Sequence, residues 1–163
     1  MLITLKNKDT LILGDFTFKC SIGTNGIKTK KKEGDKCTPR GIFSLGKLYY
    51  RPDRVEKPKT KISTISIKKD MAWCDDTASH FYNTQIKVNK KIKHEKLFRK
   101  DNSYDYLIVI NYNTKSIKKK EGSAIFLHLT KTYKKTAGCI AVKQKDLLII
   151  LKLISKKSKI KIN

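Results

Sequence analysis

Residues Ile125 to Val142 read IFLHLTKTYKKTAGCIAV. Two apolar runs flank a lysine-rich connection. One carries His128, and the other opens with Cys139 directly after Gly138. Runs this short, bounded by Gly, Lys and Thr, read as two buried strands. A glycine before the cysteine lets a substrate carbonyl approach the backbone closely. The N–H groups of Gly138 and Cys139 are then candidate donors to an oxyanion formed on attack by the thiol. A cysteine nucleophile needs a base nearby, because the thiolate is the reactive form, and His128 is the nearest imidazole in the chain. A second reading stays open at this level: Cys139 fills a gap in the core and His128 bonds a backbone carbonyl.

Outward from this stretch, short β-rich runs recur: LITL, TLIL, FTFKCSI, GIFSLGKLYY, KISTISI, TQIKV, YLIVINYN and a final KIKI. Gly, Asn, Asp and Pro clusters separate them, so the chain reads as mostly β. KISTISI alternates, with Ile62, Ile65 and Ile67 nearly on one side. The lysine runs Lys28 to Gly34 and Ser116 to Gly122 read as solvated turns. HEKLFRK, from His94 to Lys100, reads as a short helix. Lys145 to Ser155 is dense enough in apolar residues for a buried helix, with Asp146 placed to favour the helix dipole. The expectation is a β-sandwich-like fold with a C-terminal helix, and residues 1–163 forming a single domain.

The charge is lopsided, with 38 Lys and Arg against 14 Asp and Glu and a formal net charge of +24. Only Arg40, Arg51, Arg54 and Arg99 are arginines, and phosphate or base-edge recognition favours the arginine fork. Specific nucleic-acid binding is therefore not expected, although a non-enzymatic binder of anionic polymer remains the rival class. The first residues are broken by Lys6, Lys8 and Asp9 and do not read as a secretory signal. Cys20, Cys37, Cys74 and Cys139 contain no CxxC pair, and with His80, His94 and His128 they lack metal-ligand spacing. No metal or organic cofactor is expected. GDKCTPRGIF, with Thr38 and Pro39, reads as a structural turn. Asp75 and Asp76 read as turn or capping residues. Trp73, Phe81 and Tyr82 suit core packing better than a groove, and His80 and His94 read as surface or capping residues.

Taken in order, EGDKCTPRGIF, WCDD, HEKLFRKDNSYDYLIVINYN, GSAIFLHL and TAGCIAV resemble the L,D-transpeptidase catalytic domain family of bacterial cell-wall enzymes, from about Phe18 to the C-terminal helix. The resemblance implies a β-sandwich in which Cys139 is the nucleophile and His128 the proton donor and acceptor. It places Thr38, Pro39, Trp73, Thr136 and Ala137 near the substrate cleft. It implies attack on the L-centre carbonyl of a peptidoglycan stem tetrapeptide, release of D-alanine, and transfer of the acyl group from the thioester to another stem's amine. Water in place of that amine would make the same site an L,D-carboxypeptidase or amidase. Donor and acceptor stem peptides are the implied partners, with a monomer expected and the periplasm or cell wall the implied compartment. The lack of a signal in the sequence leaves the cytoplasm as the alternative. Two departures stand out. Thr136 and Ala137 occupy positions where many members have Ser-His, so the chain looks like a smaller subgroup carrying TAGC. Ala141 and Val142 stand where an arginine suited to a carboxylate is common. Either a lysine takes over that work or the substrate differs.

Overall fold

The computed structural model describes residues 1–29 and 32–163. Lys30 and Lys31 of the first lysine run lie outside the described residues. Consecutive short strands open the chain: β1 (Leu2–Lys6), β2 (Thr10–Leu13), β3 (Phe16–Ser21), β4 (Ile27–Lys28) and β5 (Thr38–Pro39). β6 (Gly41–Tyr50) is the longest, and β7 (Thr64–Ser66), β8 (Met71–Cys74), β9 (Gln85–Lys87) and β10 (His94–Lys96) follow. β11 (Tyr106–Ile110), β12 (Phe126–Leu129), β13 (Ile140–Val142), α1 (Gln144–Leu153) and β14 (Lys159–Ile162) complete the series. The chain is mostly β with one C-terminal helix.

The large sheet runs β11-β12-β13-β3-β2-β1-β14-β6-β7, and β6 also pairs with β11. The order therefore closes on itself, which leaves few unpaired strand edges to be protected. β6 joins the two halves of this ring. Its first residues pair with β14, from Gly41↔Ile162 to Ser44↔Lys159. Its later residues pair with β11, up to Tyr50↔Tyr106. The β6–β11 register shifts between Ile108 and Ile110, and Gly46 lies beside this irregularity. A Cβ on Gly46 would come within 2.8 Å of Asn111 Oδ1 and 3.1 Å of Val109 Cβ, so a larger residue there would have to displace the side chains of the facing strand.

Alternation along the strands divides their side chains between two cores. Ile108, Ile110, Leu127, Leu129, Ile140 and Val142 join Ile3, Leu5, Leu11 and Ile160 inside the ring. Leu147, Ile150 and Leu151 of α1 are fully buried against that cluster. Leu107, Val109 and Phe126 point the other way, into an aromatic cluster with Tyr49, Trp73, Leu97 and Tyr104. A small sheet, β10-β8-β9, contributes Trp73 to this second core, with the Trp73 and Phe126 rings edge to face at 5.2 Å. Burial on both faces is why these strands read as nearly continuous apolar runs.

Three expectations change. HEKLFRK begins as strand β10, because His94, Glu95 and Lys96 pair with Cys74, Trp73 and Ala72; tertiary hydrogen bonding overrides a weak helical preference. KISTISI forms a strand only over Thr64–Ser66, and its isoleucines divide, with Ile62 in the inner core and Ile67 in the outer one. The helix begins and ends slightly earlier than expected, at Gln144 and Leu153, with Asp146 in its first turn and Lys152 in its last. Among the described residues, no helix is long and apolar enough to cross a membrane.

The inner core makes a direct prediction. Ile150→Ala, at a fully buried position, should lower unfolding free energy by about 2–5 kcal/mol in urea titration. Ile42→Ala, at a residue 58% exposed, should change it by no more than about 0.5 kcal/mol.

Candidate active site

β12 and β13 lie side by side in parallel, with Leu127↔Ile140, His128↔Ala141 and Leu129↔Val142 in register. Cys139 directly precedes β13, and its sulfur accepts the Phe126 N–H at the start of β12, in the same outer cluster as Phe126. Because alternate residues share a face, Cys139, Ala141, Phe126 and His128 all point outward from the ring. His128 and Cys139 are thus diagonal neighbours, a relation that spans about 7–8 Å between backbones and is bridged by longer side chains. Parallel neighbours normally need a long crossover. Here the strands are so short that residues 130–139 suffice for the return, and the connection passes beside the outward face.

Two threonines fix the turn before the cysteine. Thr136 Oγ1 accepts the Gly138 N–H (3.1 Å) and donates to Cys139 O (2.6 Å). Thr38 Oγ1 accepts the Gly23 N–H (2.9 Å) and donates to Gly138 O (2.9 Å). Gly138 has φ +138°, a backbone region that favours glycine. The Thr136 N–H donates to Ile22 O, and the Thr24 N–H to Thr136 O, so the turn is tied to the chain following β3. Cys139 is 8% exposed. Its Sγ accepts the Phe126 N–H and donates to Ala124 O, both at 3.3 Å. The N–H aimed at sulfur favours the thiolate, and the Ala124 carbonyl that accepts the S–H favours the thiol.

His128 is 9% exposed. Its Nδ1 lies 2.9 Å from Leu129 O. A carbonyl only accepts, so Nδ1 carries the proton and the neutral ring keeps its lone pair on Nε2. The imidazole packs edge to face on Tyr104 at 5.3 Å. Burial, aided by the positive charge of Arg99, pushes the His128 pKa down to about 4, against opposing contributions from the Leu129 hydrogen bond and Asp101. The ring is therefore neutral at ordinary pH.

Cys139, His128, Thr136, Ala137 and Ala141 line one cavity of about 640 Å³. Its walls carry charges of both signs. Glu33, Asp75, Glu95 and Asp101 line it together with Arg99 and several lysines, with Lys93 near Asp75 and Arg99 near Glu95 and Asp101. The Tyr104 hydroxyl donates to Glu95, while Glu33 accepts from Ser123 at 2.7 Å. Burial raises the pKa of Asp75 and of Glu95, and the neighbouring carboxylates raise both further. Asp75 Oδ1 is buried without a hydrogen-bond partner among the described residues, and Lys93 approaches the other carboxylate oxygen at 3.8 Å. No group of three or more His, Cys, Asp or Glu side chains among the described residues is arranged to hold a metal ion.

The expected site residues thus divide. Cys139, His128, Thr136 and Ala137 meet at the cavity. Thr38 supports it from behind, through the Gly138 carbonyl. Pro39 pairs with Lys28 in the β4–β5 ladder and is not part of the lining. Trp73 is also outside it, 6% exposed with Nε1 donating to Asn83 Oδ1 at 2.9 Å. Asp76 is a turn residue as expected, accepting the Ala78 N–H, whereas Asp75 belongs to the cavity wall. Glu33, Glu95, Arg99 and Tyr104 were not singled out from sequence; only the spacing of four between Glu95 and Arg99 hints at any of their contacts. Cys20, Cys37 and Cys74 are buried free thiols away from this lining.

The family model described as the L,D-transpeptidase catalytic domain matches residues 2–162. No curated protein sequence matches the chain. Among solved structures, that of Bdellovibrio bacteriovorus Bd1075 is similar at a TM-score of 0.49 and 17% identity, covering 99% of this chain. The match covers 47% of the Bd1075 chain, so this chain spans about half of its length.

The buried neutral imidazole has a measurable consequence. Its folded pKa, about 4, lies below the unfolded value of roughly 6.5, so the unfolded chain binds the extra proton first. The stability that His128 contributes is present above pH 6.5 and is lost as pH falls toward 4. Urea unfolding at pH 7 and pH 4 should show the wild-type protein losing on the order of 3 kcal/mol more than His128→Gln over that interval.

Proposed function

We propose that this chain, which belongs to the L,D-transpeptidase catalytic domain family, is a cysteine acyltransferase acting on peptidoglycan stem peptides. The family is a class of cysteine-dependent enzymes acting on peptidoglycan peptides. The observation that supports this reading most strongly is the common face of Cys139 and His128. A neutral imidazole within β12, with its lone pair on Nε2, and a thiol just before the paired strand β13 line one cavity.

In this proposal Nε2 of His128 takes the Cys139 proton, and the Phe126 N–H steadies the charge that appears on sulfur. The thiolate attacks the L-centre carbonyl of a stem tetrapeptide. The backbone N–H groups of Gly138 and Cys139 are the oxyanion donors in this scheme, with the Gly138 N–H also donating to Thr136 Oγ1. Collapse of the tetrahedral intermediate breaks the amide bond. The imidazolium gives its proton to the departing D-alanine amine, leaving a thioester on sulfur. The amine of a second stem then attacks the thioester, loses a proton to Nε2, and frees the thiol. Water taking the place of that amine would release a tripeptide instead, and product analysis separates the two outcomes.

Thr136 and Thr38 are positioning residues in this scheme, since they set the turn that aims the thiol without contacting the reacting carbonyl. The chemistry needs His128 neutral, which its lowered pKa provides down to mildly acidic pH.

Turnover of a tetrapeptide donor should vanish in Cys139→Ala and fall by a hundredfold or more in His128→Ala, the usual range for a general acid–base residue. The acidic limb of kcat/KM should lie near pH 4 rather than near pH 6.5, because the base loses its lone pair only at the depressed pKa. Full activity in Cys139→Ala, or an acidic limb unaffected by substitution of His128, would overturn the assignment.

A further inference from the structure

We propose that Arg99 anchors the free C-terminal carboxylate of the acyl donor, so that the cavity selects peptides ending in an acid. This inference rests on the acyl-transfer reading above. Of the chain's four arginines, only Arg99 lines the cavity that holds Cys139 and His128.

Its guanidinium is held ready for such a ligand. Nε and Nη2 donate to the Asp101 carboxylate, with the shortest contact 2.6 Å. The plane sits over the Tyr104 ring at 5.0 Å, and that ring in turn packs on His128. Nη1 lies 3.8 Å from Glu95 Oε1, longer than a hydrogen bond. Glu95 is itself held by the Tyr104 hydroxyl. Nη1 therefore retains donors for an incoming acceptor, on a side chain already ordered by three neighbours. Pre-ordering of this kind reduces the entropy lost on binding. Lys131, Lys134 and Lys135 also border the cavity but are exposed, and a hydrated, flexible ammonium is a poorer reader of a planar carboxylate.

The proposed reaction supplies the matching group. In a tetrapeptide donor, one carbon separates the terminal carboxylate from the scissile nitrogen. When Cys139 attacks the preceding carbonyl, that carboxylate must lie within the same cavity. Arg99 stands over the Tyr104 ring, which packs on the His128 imidazole, so the arginine lies close to the place where the leaving amine must be protonated. An anchored carboxylate would hold that amine in line with Nε2, and an internal peptide would lack the anchor.

The test uses two donors that are identical except for a C-terminal carboxylate or carboxamide. The wild-type protein should prefer the acid by on the order of tenfold to a hundredfold in kcat/KM. In Arg99→Ala the acid-to-amide ratio should fall toward one, and Arg99→Lys should restore part of it. A merely structural role would lower both rates and leave the ratio intact, which would overturn the proposal. Calorimetry on Cys139→Ala protein reads the anchor without chemistry. An acid preference there that is lost in the Cys139→Ala/Arg99→Ala protein upholds the anchor, even if the wild-type protein turns over neither donor. That last result would overturn the acyl-transfer reading alone. Equal affinity for acid and amide would overturn the anchor.

Discussion

The parallel pairing of β12 with β13 is the constraint on which the site depends. Leu127 and Leu129 on one strand, and Ile140 and Val142 on the other, enter the inner core. Their burial fixes the register, because a slip of one residue would turn every side chain to the opposite face. With the register fixed, the residues between them have no choice of direction. Phe126 and His128, with Cys139 and Ala141, must face outward together. The site is thus a by-product of core packing, stabilised at about 25 cal/mol for each Å² of apolar surface removed from water.

What the outward face becomes depends on what covers it. The small sheet and the segment around Tyr104 bring aromatic rings onto Phe126 and His128. This cover removes water from the imidazole and holds it neutral. It also leaves a cavity beside the thiol instead of a solid core. Burial alone would make Cys139 an inert filler, as for Cys20, whose pKa burial pushes up to about 12. The difference is the company each thiol keeps. Cys20 has Asp9 nearby, which disfavours a thiolate further. Cys139 receives a backbone N–H from Phe126 and shares its face with the His128 imidazole. The threonine-locked turn around Gly138 then supplies a fixed aim for the sulfur, at the cost of a backbone conformation that favours glycine.

Much of the β architecture was legible because long or regular runs dominate their own pairing. GIFSLGKLYY and KIKI coincide with β6 and β14, and the apolar density after Lys143 marks α1. The segments that escaped are those whose structure is set from outside. MAWC and HEK are strands of four and three residues that exist through pairing with each other. Glu95 and Arg99 were in plain view within HEKLFRK, where a helical spacing of four would bring them together. They do approach, at 3.8 Å, but across the end of a strand and a bend. Cys139 and His128 were singled out together by their closeness in the sequence and by the family resemblance, whereas the parallel register that turns them to one face comes from the pairing of β12 with β13. The rest of the cavity was not legible, since Glu33, Asp75 and Tyr104 arrive from distant loops and no local pattern records their meeting. The lysine excess, so prominent in composition, stands largely on exposed positions and explains little of the site.

The central claim is that Cys139 carries the acyl group, and intact-mass analysis tests it most directly. The full chain would be mixed with a stem tetrapeptide, quenched in acid to preserve a thioester, weighed, and digested to locate the adduct. The account predicts one adduct with the mass of the donor less D-alanine, confined to the peptide containing Cys139, with free D-alanine in solution. Its formation should depend on His128. An adduct on Cys20, Cys37 or Cys74 would contradict the account, as would turnover of the donor with no acyl group ever found on the protein.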